Sequence, residues 1–448
     1  MTREAVLFRR GKAWERNEMA SDIDREVVLE LSDALVEAQK PILILNSVKW
    51  TYEVREQFYA DGAEKQPKVD TEYYTSERGL AFDVDDKRAE FTSLAARVDK
   101  ELGKSAIGQL LTGRIEGYTS VIDMLAARGT PAFAEISAGL YGSVDDRLHD
   151  DGPTHIELGE VLDDALDNIS DGRWEPPEDL CYTAAEGVEI LTERLTAVAG
   201  LEDVNVRIDD GIVADAAAGS DYIKLREDAQ FSERALRVLE VHEGWVHVAT
   251  SVNGRRQPWC TFLAKGTPAT TVTQEGTAVF TEITTLSSTP TRLGAISRRI
   301  QAIGMAEDGA TFLDVYRWML EQGLDTDNAW TSTVRVYRGS TPTLGPFTKD
   351  LAYGRGFIEV YNLVRLATKL GRLELIPLLF VGKISVHELG LIAQLHHDGL
   401  IVDPETLPPS ISDVTALASW MAMSNLLNRV DVDEMEVVLS RALEEPDR

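Results

Sequence analysis

Two histidines five residues apart, His242 and His247, fall inside a segment whose apolar residues recur at helical spacing, SERALRVLEVHEGWVHVAT (232–250). In a regular α-helix, residues five apart diverge by about 140° around the axis, against about 40° for residues four apart. If both imidazoles serve one purpose, the backbone between them must widen. A π-turn does this, and the spacing predicts one across residues 243–247. Gly244 lowers the cost of such a distortion, and Ser232 is placed to cap the helix.

Glu243 follows the first histidine directly. A zinc ion takes neutral imidazoles and a carboxylate, and in catalytic sites it keeps one position open for water. A glutamate beside a ligand is then placed to act as general base toward that water. The third donor is expected on the following helix. TVTQEGTAVFTE (271–282) supplies Glu275 and Glu282, which lie near one helical face. Glu275 is the expected ligand. Glu282 reads either as a carboxylate that orients an imidazole or as a solvated helix charge. The competing reading of the whole motif is a helix with one solvated and one core histidine. A second His-Glu pair, His387–Glu388 in VHELGLIAQLHHDG, is followed by His396 and His397 at no zinc-ligand spacing. It reads as an amphipathic helix with a polar end.

The rest of the chain is α-rich. Helical periodicity is expected over 24–40, 85–104 and 107–129, the last stopped by Gly129 and Pro131. PILILNSV (41–48) reads as a strand or a buried turn. The acidic, turn-rich stretch 143–180 reads as a boundary or surface loop. A helix over 186–200 is expected to be capped by Gly200. Short strands separated by Asp-Gly and Gly-Ser turns are expected over 204–227. Thr271 or Thr273 is expected to cap the helix that carries Glu275. From about residue 295 the chain reads as mostly helical.

Acidic residues number 75 against 45 basic, a net charge of −30, which repels nucleic acid and anionic membranes and keeps a protein soluble. No apolar run approaches the roughly 18 residues needed to span a bilayer. The charged N-terminus lacks an apolar signal core, so a cytoplasmic protein is expected. Cys181 and Cys260 lack metal-ligand spacing and read as reduced thiols.

HEGWVH, NGRRQP and TQEGTAVFTE, with RVYRGS (335–340) and FTKDLAYGRGF (347–357) downstream, resemble the bacterial flavohemoglobin expression-modulating QEGLA-motif proteins. That family is related to the eukaryotic microtubule-associated tyrosine carboxypeptidases. The likeness covers roughly residues 25 to 440. It implies a zinc carboxypeptidase-like domain with His242, His247 and Glu275 as ligands and Glu243 as catalytic base. The motif here is QEGTA, with Thr277 in place of leucine, two positions past the ligand and expected to point away from the metal. The eukaryotic activity is on tubulin tails; this chain's own substrate stays open.

A carboxypeptidase binds its substrate's terminal carboxylate, best through a guanidinium fork. Arg335, Arg338 and Lys349 are the candidates, and Tyr353 is a candidate hydrogen-bond donor to the developing oxyanion. DYIKLRE (221–227) is expected as an edge strand that holds an extended substrate, with Tyr222 and Lys224 flanking the cleft. The fold expected is α+β and mainly helical. A helical N-terminal region (1–150) precedes a zinc-peptidase-like core (151–360) with a small sheet and the H-E-x-x-x-H helix. A helical C-terminal region (361–448) packs on that core. The function expected is a zinc-dependent carboxypeptidase acting on a peptide or protein C-terminal tail, with no nucleic-acid or membrane partner. The alternatives are an endopeptidase or aminopeptidase on the same site, or a non-catalytic metal-binding regulator.

Overall fold

The structure, a computed structural model, describes residues 24–167, 169, 179–209, 215–432, 434, 435, 438 and 439. The charged N-terminus, the DGRWEPP turn at 171–177 and the Asp-Gly turn at 210–211 therefore lie outside the described residues. The described part is mainly helical with two small sheets.

The N-terminal helices begin and end where their sequence sets them. Arg25–Gln39 is capped by Asp24, which accepts from the Glu26 N–H at 2.9 Å. Val84–Leu102 is capped by Asp83, and Ala106–Ala126 by Ser105. The last of these ends before Gly129, whose φ is +74°, and Pro131 opens the next helix, Pro131–Tyr141. The apolar run after Pro41 is neither strand nor buried turn: Ile44–Val48 is a short helix with Val48 buried and Leu43 and Leu45 exposed. With no strand beside it to share backbone bonds, the segment satisfies its own.

The acidic stretch is not loop throughout. His155–Asp167 is a helix packed on the helix Pro290–Glu307. Leu166 is buried, Ile156 and Leu162 pack into the core, and Gly159 sits against Ile300. One apolar face outweighs the surrounding carboxylates. The helix Ala184–Thr196 has a Thr183–Glu186 capping box, and it stops short of Gly200, which turns the chain at φ +88°.

The sheets carry one correction. Strands β1 (Tyr182–Thr183) and β5 (Gln230–Phe231) form an antiparallel pair. Strands β2 (Asn205–Asp209), β3 (Ala216–Ala218) and β4 (Tyr222–Arg226) form a second sheet in the order β2-β4-β3, with β2 parallel and β3 antiparallel to β4. The strand holding Tyr222 and Lys224 is therefore central. Both of its backbone edges are already paired, so it has no edge to offer a substrate.

Three cores hold the molecule. One joins the N-terminal helices to residues 246–280 and to the C-terminal helices. The second is aromatic, with Trp50, Phe58, Phe312, Tyr316 and Trp330 in mutual contact. The third, with Leu191, Leu195, Ile223, Leu225, Val241 and Trp245, fastens the small sheet to the histidine helix.

The helix Pro268–Thr284 is the central strut, and the helix Leu351–Leu370 crosses it at backbone contact. A Cβ on Gly276 would lie 2.0 Å from the Gly356 carbonyl carbon, and one on Gly356 would lie 2.0 Å from the Val272 oxygen. No side chain fits at either position, and the crossing fixes the height of the neighbouring Glu275. The strut starts earlier than expected: Thr267 caps it with Thr270 and Pro268 is its first residue, so neither Thr271 nor Thr273 is the cap. Thr273 is buried within the helix, where its hydroxyl accepts from the Val386 N–H at 2.9 Å. Among the described residues, no helix is long and apolar enough to cross a membrane.

Candidate metal centre

Ser232 caps one continuous helical rod: its Oγ accepts from the Ala235 N–H at 2.9 Å. The rod is α-helical over Glu233–Leu239, π-helical over Glu240–Val248 and α-helical again over Ala249–Arg255. Bonding from i to i+5 brings residues five apart into line, and the widened stretch is longer than the one turn that the spacing requires. Gly244 serves packing here, since a Cβ there would meet Leu195 Cδ2 at 2.4 Å.

The His242 and His247 rings lie 4.8 Å apart at 84°. Glu275 Oε2 is 3.4 Å from His242 Nε2 and 3.6 Å from His247 Nε2. All three donor atoms fall within 4.8 Å of one another, so the group could hold a metal ion. Donors at about 2.0–2.1 Å from a tetrahedral ion stand roughly 3.3 Å apart, close to these separations. Glu275 Oε2 is also buried with no hydrogen-bond partner. A desolvated carboxylate oxygen in that state is costly, and a cation placed between it and the two imidazoles would satisfy it. The other oxygen accepts from Lys349 Nζ at 3.1 Å.

Electrostatics tie the cluster to its surroundings. Burial opposes the charge on Glu275, but Lys349 and the two histidines overcome it and hold the carboxyl well below its ordinary range. Burial likewise opposes a charge on His242, yet Glu275 and Glu282 push its pKa up to about 10. A cation placed at Nε2 would be attracted by the same carboxylates. Glu282 is buried beneath His242, with Oε1 2.6 Å from Nδ1. A proton on Nδ1 leaves Nε2 as the donor to a metal. Glu243, half-buried between the two histidines in sequence, acts electrostatically on His242, Arg292 and Lys383. Thr277 donates to the Thr273 carbonyl at 2.7 Å along its own helix.

The predicted substrate residues divide. Tyr353 stands at the site, its ring 6.4 Å from that of His242. Lys349 reaches Glu275. Arg335 is committed to Asp350 through two bonds, at 2.6 and 3.0 Å. Arg338 is half-buried, stands 3.9 Å from Asp350, and leaves Nε without a hydrogen-bond partner. Burial, with Arg335 alongside, pulls Arg338 down to about 10. Tyr222 and Lys224 turn elsewhere: Lys224 pairs with Asp209 at 2.5 Å, and Tyr222 lies under Arg207. The second His-Glu pair is structural. Glu388 closes a capping box with Ser385 and binds Arg114 at 2.7 Å, while His387 is exposed and His396 meets Asp403.

Four residues escape a reading of the sequence. Asp350 is the buried carboxylate among Arg299, Arg335 and Arg338. Arg299 lies over the Tyr353 ring at 4.4 Å. Arg292 grips Glu282. Lys383 faces Glu275 and Glu243, and burial pulls its ammonium down to about 8 against their attraction. Asp350 directly follows Lys349 and Arg292 lies ten residues past Glu282, yet no spacing signal marks any of the four.

A trio of two imidazoles and one carboxylate, with His242 and Glu275 buried and His247 half-buried, backed by a further carboxylate and bordered by arginines, defines a candidate metal-binding enzyme site. The chain matches the family model described as microtubule-associated tyrosine carboxypeptidase over residues 56–429, and it belongs to that family. Membership implies an enzyme of carboxypeptidase type, and so a hydrolase. No curated protein matches the chain.

Proposed function

We propose that the chain is a zinc-dependent carboxypeptidase that removes residues from peptide or protein C-terminal tails in the cytoplasm. The observation that carries this reading is the orphaned Glu275 oxygen facing His242 and His247. An N,N,O donor set suits zinc. Zinc held there supplies Lewis acidity toward a water and toward the scissile carbonyl.

Glu243 takes the proton of the attacking water and passes it to the leaving amine. Tyr353 donates to the oxygen on which charge develops. Arg338 receives the terminal carboxylate, because its fork is less committed to Asp350 than that of Arg335. Lys349 holds Glu275 to a single inward oxygen. An extended tail pairs with β3, whose described backbone partner lies on one edge alone, and which packs against the π-helical segment.

An aminopeptidase would need carboxylates where Arg299, Arg335 and Arg338 cluster, and a closed structural site would need a fourth protein donor. The cluster has three among the described residues. The test compares tail peptides with free and amidated C-termini. Wild type is expected to shorten only the free form. Arg338→Gln is expected to lose about 10- to 200-fold in kcat/KM for it, the equivalent of one charge-assisted contact of about 1.5–3 kcal/mol. Equal cleavage of both forms would exclude a carboxypeptidase.

A further inference from the structure

We propose that Arg292 is a positioning residue for His242, acting through Glu282. This inference rests on the metal site proposed above. The Glu282 side chain is 1% exposed, and both of its oxygens are taken. Oε1 lies 2.6 Å from His242 Nδ1 and 2.6 Å from Arg292 Nη2, and Oε2 lies 2.5 Å from Arg292 Nε. The guanidinium therefore grips the carboxylate through two parallel bonds, a geometry that lysine cannot reproduce.

The consequence is mechanical. The imidazole can rotate about its Cβ–Cγ bond only if Glu282 moves, and Glu282 can move only by breaking two charge-assisted bonds. The backbone reinforces the grip. Ser287 N–H donates to the Glu282 carbonyl at 2.8 Å, and Thr289 Oγ1 accepts from the Arg292 N–H at 3.2 Å. The turn between the two helices is thereby closed at both ends, and it presents Arg292 to Glu282 across only ten residues. The Arg292 side chain is itself 38% exposed, yet its fork turns inward onto a carboxylate that is almost fully buried. Packing does not demand that orientation; the carboxylate does.

The measurement is zinc affinity of the full-length protein, by competition against a chromophoric chelator, with thermal melting of the metal-free protein alongside. Arg292→Gln is expected to weaken zinc binding by about 10- to 100-fold, the usual loss when a partner of a ligand is removed. Arg292→Lys is expected to recover part of that affinity, because it restores the charge without the fork. In a Glu282→Gln background, Arg292→Gln is expected to cost nothing further. A variant whose melting is unchanged and whose zinc affinity equals wild type overturns the proposal. Equal losses in both backgrounds do the same, since Arg292 would then act independently of Glu282. Wild type that takes up no zinc removes the site itself, and that result appears before any variant is made.

Discussion

Glu243→Gln is expected to slow release of the C-terminal residue by about 100- to 10,000-fold, the range that a positioned general base contributes, while zinc content and melting temperature stay near wild type. Glutamine keeps the shape of the side chain but cannot take a proton from water. Glu243 is half-buried, and it makes none of the contacts that hold Glu275 or Glu282. Its loss should therefore fall on kcat, with KM little changed, because the group acts as the proton moves and not when the tail binds. Mass spectrometry of a tail-peptide mixture, with zinc measured on the same preparations, checks both halves. A Glu243→Gln protein that cleaves at the wild-type rate would take the base role away from this residue.

The second large effect is on stability. Asp350→Asn is expected to destabilise the fold by about 3–5 kcal/mol, the cost of breaking a buried ion pair from one side. Asp350 is buried and accepts two hydrogen bonds from Arg335, with Arg299 and Arg338 each 3.9 Å away. Asparagine leaves those guanidiniums facing one another in a desolvated pocket. Burial works against the charge on Asp350, but Arg335, Arg299, Arg338 and Lys349 outweigh it and hold the carboxyl well below its ordinary range. A carboxyl depressed in the folded state stabilises the fold above its unfolded pKa of about 3.9 and loses that contribution as pH falls below it. The difference between wild type and Asp350→Asn, read from urea midpoints, should be full at pH 7 and shrink below about pH 4. A constant difference across that range would mean that the pocket is held by something other than this charge.

Much of the candidate centre was legible because the three side chains that could hold a metal come from two short segments with rigid geometry. The five-residue spacing of His242 and His247 demanded a widened turn, and the structure has one. The next helix supplied Glu275 one face away. What surrounds the donors was not legible. Asp350, Arg299, Arg292 and Lys383 reach the site through tertiary packing, which leaves no periodicity in the sequence. Gly276 lies in a segment expected to be helical, and nothing in the sequence marks it as a backbone contact until it is seen against Gly356. Strand order failed for a related reason: alternation in DYIKLRE marks a strand but says nothing of how many neighbours it has, and β4 has two. The helix His155–Asp167 was hidden by its acidic residues, although Ile156, Leu162 and Leu166 supply its packed face.

The most direct test counts zinc per chain in purified protein by elemental analysis, after dialysis against a weak chelator. About one equivalent is expected in wild type and in Glu243→Gln, and little in His242→Ala, His247→Ala or Glu275→Ala. Full zinc retained when all three donors are replaced, or none in the wild type, would contradict a shared ion between these side chains.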